Sequence, residues 1–340
     1  MSRMERFHNQ GEEGNSVQET PKIKQPKQSK EPKKPKKVKK HRGSMAQSIG
    51  KLLLLLIILI AAYSFYEYNK GLRAAKHDKD FAPQEYKEFS GQKSTDGSIN
   101  VLFLGSDSRG ADQGRSDTIM IAHYNKKDKT PKLVSFMRDT YANIPGYGYN
   151  KINASYSFGG PELVRQTIKT TFNVDVEYYA IVNFGSFPKI IDTLTPSGLK
   201  LDAEKDIELD GVNISQGTQK MDGHTALQYA RFRMDEEGDF GRVRRQQQVM
   251  NAIFAQGLSA KNILNFPEAV GKIQGYTHTN LPGSLYPSIG KDFLFGLSKP
   301  LEKLTIPVDG SWSDGYYADA GSVLEIDEAV NAHAIAEFLK

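Results

Sequence analysis

Residues 99–137 read INVLFLGSDSRGADQGRSDTIMIAHYNKKDKTPKLVSFM, and the rhythm of apolar residues here decides the class of fold. Three short runs, 99–104 (INVLFL), 118–124 (TIMIAHY) and 132–137 (KLVSFM), have the length of strands, and polar residues separate them. The first ends at a glycine, Gly105. Further along, the period changes. Leu163, Thr167, Ile168 and Phe172 stand at helical spacing within 161–172, 177–183 (EYYAIVN) reads as a fourth strand, and 187–194 reads as another helix. Asp222 is placed to cap a helix carrying Ala226, Leu227 and Ala230, and 242–257 reads as a longer helix. A helix near 267–275, a strand at 303–308 and a terminal helix at 326–339 complete the pattern, with no internal repeat. Strands alternating with helices in this way predict a three-layer α/β/α domain around a mixed sheet.

The loop between the first two strands carries chemistry. In LFLGSDSRGADQGRSDT, residues 102–118, Asp107 and Asp117 flank a polar loop that also holds Arg109 and Arg115. Two carboxylates brought together beside cations form a half-site for Mg²⁺, which takes one or two protein carboxylates and completes its octahedron with phosphate oxygens and water. The competing reading is a turn whose Asp side chains cap backbone groups. Residues 227–248, LQYARFRMDEEGDFGRVRRQQQ, are the second concentration. Arg231 and Arg233 share a face only if the preceding helix ends near Tyr229. Arg242, Arg245, Gln246 and Val249 fall on one face of the next helix. Five arginines in fifteen residues call for anions. Asp235, Glu236, Glu237 and Asp239 supply them in one reading, and in the other guanidinium forks cradle a pyrophosphate. A third piece is 135–153, SFMRDTYANIPGYGYNKIN, where Arg138 and Asp139 follow a strand and the Pro-Gly-Tyr-Gly turn returns Lys151 and Asn153 toward the same edge.

The rest of the chain sets the location of this chemistry. The 340 residues carry a net charge of +5, which by itself suggests a nucleic-acid partner. That charge is local: residues 1–48 hold thirteen Lys and Arg against five acids, and residues 49–340 hold thirty-two against thirty-five. The Pro-broken Lys run at 21–42 has nothing to bury and reads as disordered. After it, 52–62 is an uninterrupted apolar stretch, extended by Tyr63, Ser64, Phe65 and Tyr66. Those fifteen residues span roughly 22 Å as a helix, short of a hydrocarbon core of about 30 Å, with Lys51 and the tyrosines able to reach the headgroups. The basic block before this span predicts a cytoplasmic N-terminus and an external domain, and gives the tail anionic lipid as its partner. The expected layout is a tail at 1–48, an anchor at 49–66, a stalk at 67–98, a catalytic domain at 99–255, and 256–340 completing the same domain. No cysteine is present, which excludes disulfides, thiolate metal sites and a thiol nucleophile. P-loop, nucleophile-elbow and HExxH patterns are absent too.

In order and at compatible spacing, GSDSR, RSDT, MRD, IPGYG, KIN, GGP, YARFR and GDFGRVRRQQ resemble the motifs of the LytR-CpsA-Psr (LCP) family, and most of all its MsrR-type members. The resemblance implies an LCP-type α/β/α domain behind a single N-terminal transmembrane helix. It implies a Gram-positive envelope transferase, phosphotransferase-like in mechanism. Such an enzyme moves an anionic glycopolymer, such as wall teichoic acid or capsule, from a polyprenyl-pyrophosphate carrier to peptidoglycan. By motif, Asp107 and Asp117 would hold Mg²⁺ (or Mn²⁺). Arg115, Arg138, Arg231 and Arg233 would bind the pyrophosphate, Arg242 and Gln246 would support it, and Asp239 or Asp107 would act as base. Arg138, Arg231 and Arg233 thus count among the catalytic set, and no nucleic acid is expected as partner. The lipid would lie in an apolar slot to which Leu163, Ile168, Phe172, Phe184, Phe187 and Ile190 are the candidates. Met137 stands where family members often have proline, and Thr195, Pro196, Ser197 and Gly198 replace a common Gly-Gly turn. Rival functions are an envelope-related transcriptional regulator or attenuator, a polyprenyl-pyrophosphate sensor, and a pyrophosphatase.

Overall fold

The first strand sends its side chains alternately to two cores. In β1 (Ile99–Ser106), Leu102 and Leu104 face one cluster while Phe103 faces another, as the two-residue period of a strand requires. The structure is a computed structural model that describes residues 43–78, 88–107, 114, 116–257, 264, 266–294 and 296–340. The predicted basic tail and Arg109 and Arg115 lie outside the described residues.

β1 sits inside a six-stranded sheet with β2 (Ser116–Tyr124), β3 (Pro131–Phe136), β6 (Tyr178–Asn183), β11 (His278–Thr279) and β12 (Glu302–Ile306), in the order β11-β6-β1-β2-β3-β12. The β1–β6 and β3–β12 pairs are parallel, and β1–β2, β2–β3 and β6–β11 are antiparallel, so the sheet is mixed. One face packs against α2 (Ala154–Phe172) and α8 (Glu328–Phe338), through Val164, Ile168, Phe172 and Ile335. The other face meets α3 (Ser186–Leu194) and α6 (Phe266–Tyr276) through Ile190, Leu194, Ala269 and Tyr276. On that side α5 (Gly238–Gln256) also sends Gln247 Nε2 to Ser135 Oγ on β3 (3.0 Å) and Thr305 Oγ1 on β12 (2.9 Å). This is the expected three-layer α/β/α arrangement around a mixed sheet.

Details depart from expectation for local reasons. The helix read from Pro161 starts at Ala154 and breaks at Gly160, whose φ of 66° no other residue type adopts cheaply. Pro161 then restarts it. The stretch read as turns holds the hairpins β7 (Leu199–Ala203) with β10 (Gly217–Met221), and β8 (Ile207–Leu209) with β9 (Val212–Ile214). Three to five residues carry too few repeats to announce a period. Of the hairpin β4 (Tyr141–Ile144) with β5 (Gly148–Lys151) the sequence reading holds only the turn, and β13 (Trp312–Tyr317), β14 (Gly321–Ile326) and α7 (Leu285–Leu294) are absent from it. Asp222 caps α4 (Gly223–Arg231) as expected, accepting from Thr225 N.

The apolar segment belongs to α1 (Gly43–Lys76), a single helix of 34 residues, about 51 Å long at 1.5 Å per residue. Its candidate span, Gln47–Lys76, is long and apolar enough to cross a membrane, and none of its most apolar window is buried. The helix runs on past the apolar stretch into the first ten residues of the predicted stalk, 67–76. There it packs on α6 through small residues: a Cβ on Gly71 would lie 2.1 Å from Glu268 O, on Gly271 2.0 Å from Tyr68 O, and on Gly275 2.4 Å from Ala75 Cβ. Such spacing lets two helix backbones meet closely.

Candidate active site

At one end of the sheet, β1, β3, β6 and β12 finish and β2 begins, the crevice in which open α/β sheets bind ligands. A β-bulge gives this crevice its first acid. Gly105 pairs with Thr118 and Ser106 with Ser116, so Asp117 is the extra residue, aimed out of the ladder. Arg138 and Asp139 occupy the turn after β3, closed by Thr140 N donating to Met137 O (3.1 Å). Asp239 lies in the first turn of α5 with Arg242 one turn later.

These side chains converge. Arg138 Nη1 donates to both Asp117 oxygens (3.1 and 3.2 Å), and its Nε lies 3.5 Å from Asp139 and 3.9 Å from Asp239. Arg242 is buried, sits 3.6 Å from Asp117 and makes an ion pair with Asp239. Burial pushes the Asp117 carboxyl up, but Arg242, Arg138 and Arg233 outweigh it and hold the group below the ordinary Asp range. At Asp239 the balance reverses. Burial there outweighs Arg242 and Arg138, so the carboxyl is raised, and its two buried oxygens accept no hydrogen bond. Asp239 therefore binds a proton more readily than an ordinary Asp does.

The hairpin return is as expected. Lys151 Nζ lies 2.8 Å from Asp139, and Asn153 N donates to Arg138 O (3.3 Å). The remaining candidates divide. α4 ends at Arg231, and Arg231 turns to Asp210 (2.8 Å) and Gln228 (3.0 Å) with its guanidinium over the Phe184 ring, apart from the acids of the crevice. Arg233 is exposed, makes no ion pair among the described residues, and acts on Asp117 and Arg242 by its charge. Gln246 is half-buried and its amide makes no hydrogen bond among the described residues. Arg245, read as a companion of Arg242, is wholly buried elsewhere, on Asp235 (3.0 Å) and the Phe232 carbonyl (2.9 Å). Beside it Arg244 is clamped by Glu204 and Glu237. The acids of the stretch thus compensate Arg244 and Arg245 from within the chain, as the first of the two readings expects. Glu204, from the unread hairpin region, carried no signal in the sequence.

Asp107 is exposed one residue beyond Ser106, whose cross-strand partner Ser116 immediately precedes Asp117. Among the described residues no group of three or more potential ligands forms a metal cage. Two carboxylates at adjacent strand ends nevertheless suit a hard ion that keeps most positions for phosphate and water.

The presumed lipid slot also divides. Ile168 and Phe172 are plain core under the sheet. Phe187 and Ile190 line an apolar cavity of about 170 Å³ with Phe103, Val182 and Tyr286. Tyr286 also lines a second apolar cavity, of about 420 Å³, with Phe65 and Tyr68 of α1.

The LytR_cpsA_psr family model matches residues 63–334. The chain belongs to this family. Among LCP relatives, the protein named regulatory protein MsrR of Staphylococcus aureus (strain COL) is 41% identical over 279 residues, 82% of this chain and 84% of the relative. TagU of Bacillus anthracis (strain CDC 684 / NRRL 3495), named a polyisoprenyl-teichoic acid–peptidoglycan teichoic acid transferase, is 34% identical over 241 residues, 69% and 78% of the two chains. Among solved LCP structures, B. subtilis TagV superposes with a TM-score of 0.62 at 27% identity, covering 71% of this chain and 97% of TagV. TagT bound to LI-WTA gives 0.58 at 26%, covering 76% and 95%.

Proposed function

We propose that this protein is a membrane-anchored, extracytoplasmic transferase that moves an anionic glycopolymer from a polyprenyl-pyrophosphate carrier to peptidoglycan. The observation that carries the reading is the crevice itself, where Arg138 and Arg242 surround the hydrogen-bond-starved carboxylate of Asp239. Two apolar cavities sharing Tyr286, one of them lined by the anchor helix, suit the carrier's hydrocarbon tail. The names of the TagU and TagT relatives point to the same chemistry.

In this reading an acceptor hydroxyl attacks the phosphorus next to the glycopolymer. The new O–P bond forms as the P–O bond to the polyprenyl phosphate breaks, and Asp239 takes the hydroxyl proton. Arg138 and Arg242, with Arg233 at the rim, meet the charge that grows on the leaving phosphate, where fixed donors are worth most. Arg138 grips both oxygens of Asp117 in the free protein, so transfer of its fork to phosphate frees Asp117. Asp107 and Asp117 are then the residues that would hold Mg²⁺. The ion would supply charge neutralisation on phosphate oxygens.

The regulator alternative requires a basic reading surface, whereas residues 67–340 hold thirty-one Lys and Arg against thirty-five acids. The test uses the full-length protein in detergent with Mg²⁺, a lipid-pyrophosphate-linked glycan and peptidoglycan oligomers. Linked product in the wild type, lost in Asp239→Asn and Arg138→Ala, supports transfer. Release of free phosphate without linkage, or a domain protected from protease in intact protoplasts, overturns it.

A further inference from the structure

Against the outer wall of the crevice lies a polar cavity of about 290 Å³ that shares only Arg138 with the reaction above. Arg138 and Asp139 form its inner wall, the first turn of α2 its floor, and Asp319, in the turn joining β13 to β14, its lip. Asn153 stands at the N-cap position of α2, where Asn ordinarily accepts from the helix backbone. Here its side chain makes no capping bond, nor any other hydrogen bond among the described residues, although the residue is only 8% exposed. A carboxamide with two donors and an acceptor therefore lines the cavity unpartnered. Asp319 likewise makes no ion pair among the described residues.

One aromatic residue, Phe158, lines the cavity, and other rings lie close by on the hairpins. Tyr147 and Phe158 stack at 4.7 Å with 18° between their planes, yet remain 58% and 41% exposed. Tyr149 and Tyr317 flank Tyr141, the latter at 4.5 Å and 10°. Flat exposed rings beside unsatisfied hydrogen-bonding groups are what a sugar needs, since it offers one face of C–H and a rim of hydroxyl and acetamido groups.

Charge narrows the choice of ligand. The two cations of the wall, Arg138 and Lys151, are already held by Asp117 and Asp139, and Asp319 adds an uncompensated negative charge. Arg138 faces the reaction crevice, so the outer part of the cavity, around Asp319, favours a neutral polyol over an anionic chain. Position argues against a membrane contact as well. The anchor docks on α6, which leads into edge strand β11, whereas β13 and β14 follow the opposite edge, β12, about 24 Å away across six strands.

We propose that this cavity is a saccharide subsite that seats N-acetylated amino-sugar units of the acceptor glycan. Asn153 and Asp319 hold the polar rim of the sugar, and the Tyr147–Phe158 platform holds its face. The acceptor role rests on the transferase reading; the sugar binding does not.

The test titrates the full-length protein in detergent with a soluble β-1,4-linked N-acetylglucosamine tetramer, followed by calorimetry. The wild type is expected to bind, and Asn153→Ala and Tyr147→Ala to weaken binding by about tenfold each. Thermal melts confirm that the variants fold, and Tyr147 is exposed enough to be removed without disturbing the core. In the transfer assay the same variants should raise KM for the acceptor and leave that for the lipid donor unchanged. Sugar binding that is lost in the variants while no transfer occurs upholds the subsite and removes the transferase reading. Transfer with an unaltered acceptor KM in both variants does the reverse. Failure of the wild type to bind the tetramer, or loss of binding to anionic vesicles in Tyr147→Ala, overturns the subsite.

Discussion

Arg242 and Arg245 are one helical turn apart on α5, both buried, and they live in opposite circumstances. Arg245 is enclosed by Asp235, Glu204 and the Phe232 carbonyl, and its guanidinium lies over the Phe232 ring. The carboxylates around it are acidic: at Asp235 burial is outweighed by Lys205 and Arg245, and at Glu204 the bond from Arg244 leads. Arg242 shares its pocket with an Asp239 that accepts no hydrogen bond and an Asp117 already gripped by Arg138. One cluster is closed and the other is poised. The difference lies in the carboxylates: Asp235 and Glu204 accept hydrogen bonds and Asp239 accepts none, although Arg245 Nε, like Arg242 Nε, has no partner of its own.

The largest effect expected from this contrast is on stability. Arg245→Ala strands Asp235 and a buried carbonyl, and should cost about 3–5 kcal/mol in denaturant unfolding. A loss under about 1 kcal/mol would break the claim that this cluster is closed. Arg242→Ala should instead act on turnover, lowering kcat about 10²–10³-fold, the scale of removing one preorganised donor. If Arg242→Ala unfolds the protein as readily as Arg245→Ala does, the distinction between the clusters is lost.

The next expectation concerns sign. Asp239 is raised above the ordinary value near 3.8, so only between the ordinary and the raised value does the folded chain bind more proton than the unfolded chain. Its contribution to stability is full below that value and is lost as pH rises through the raised one. Asp235 is lowered, so its contribution is present above the ordinary value and is lost as pH falls through the depressed one. Asp239→Asn should therefore melt higher than wild type at neutral pH, and Asp235→Asn lower, with both differences shrinking on acidification. Melting curves at pH 7 and pH 3 that move the two variants in the same direction would contradict the comparison. The smallest effect is expected at Arg244, whose side chain is 45% exposed between Glu204 and Glu237. Arg244→Ala should change stability by about 1 kcal/mol or less, since solvent screens such pairs; calorimetric unfolding in low and high salt checks this.

Much of the architecture was legible because long apolar runs state their period directly. β1, β2, β3, β6 and the α4 cap at Asp222 all follow from spacing and a single acid. The hairpins did not, and two of them matter to the reading of function. One carries the Tyr147 turn, whose Pro-Gly-Tyr-Gly was legible although its strands were not, and the other brings Asp319 to the cavity from a stretch that shows no motif. At the crevice, Arg138, Asp117 and the return of Lys151 and Asn153 were legible because strand ends and one tight turn fix them locally. The separation of Arg242 from Arg245 was not. They stand three residues apart on one helix, and their fates differ through Glu204 and Asp117, which are far from them in the chain.

The sequence alone determined the order of elements, the apolar helix at the N-terminus, and the residue types available for anion and metal chemistry. Local periodicity and composition carry that information, and they do not depend on distant partners. Tertiary structure decided which charges are compensated. Whether an arginine is structural or poised depends on the burial and partners that meet it from other elements, and the bulge that aims Asp117 and the hairpin that completes the polar cavity exist only once the sheet has paired.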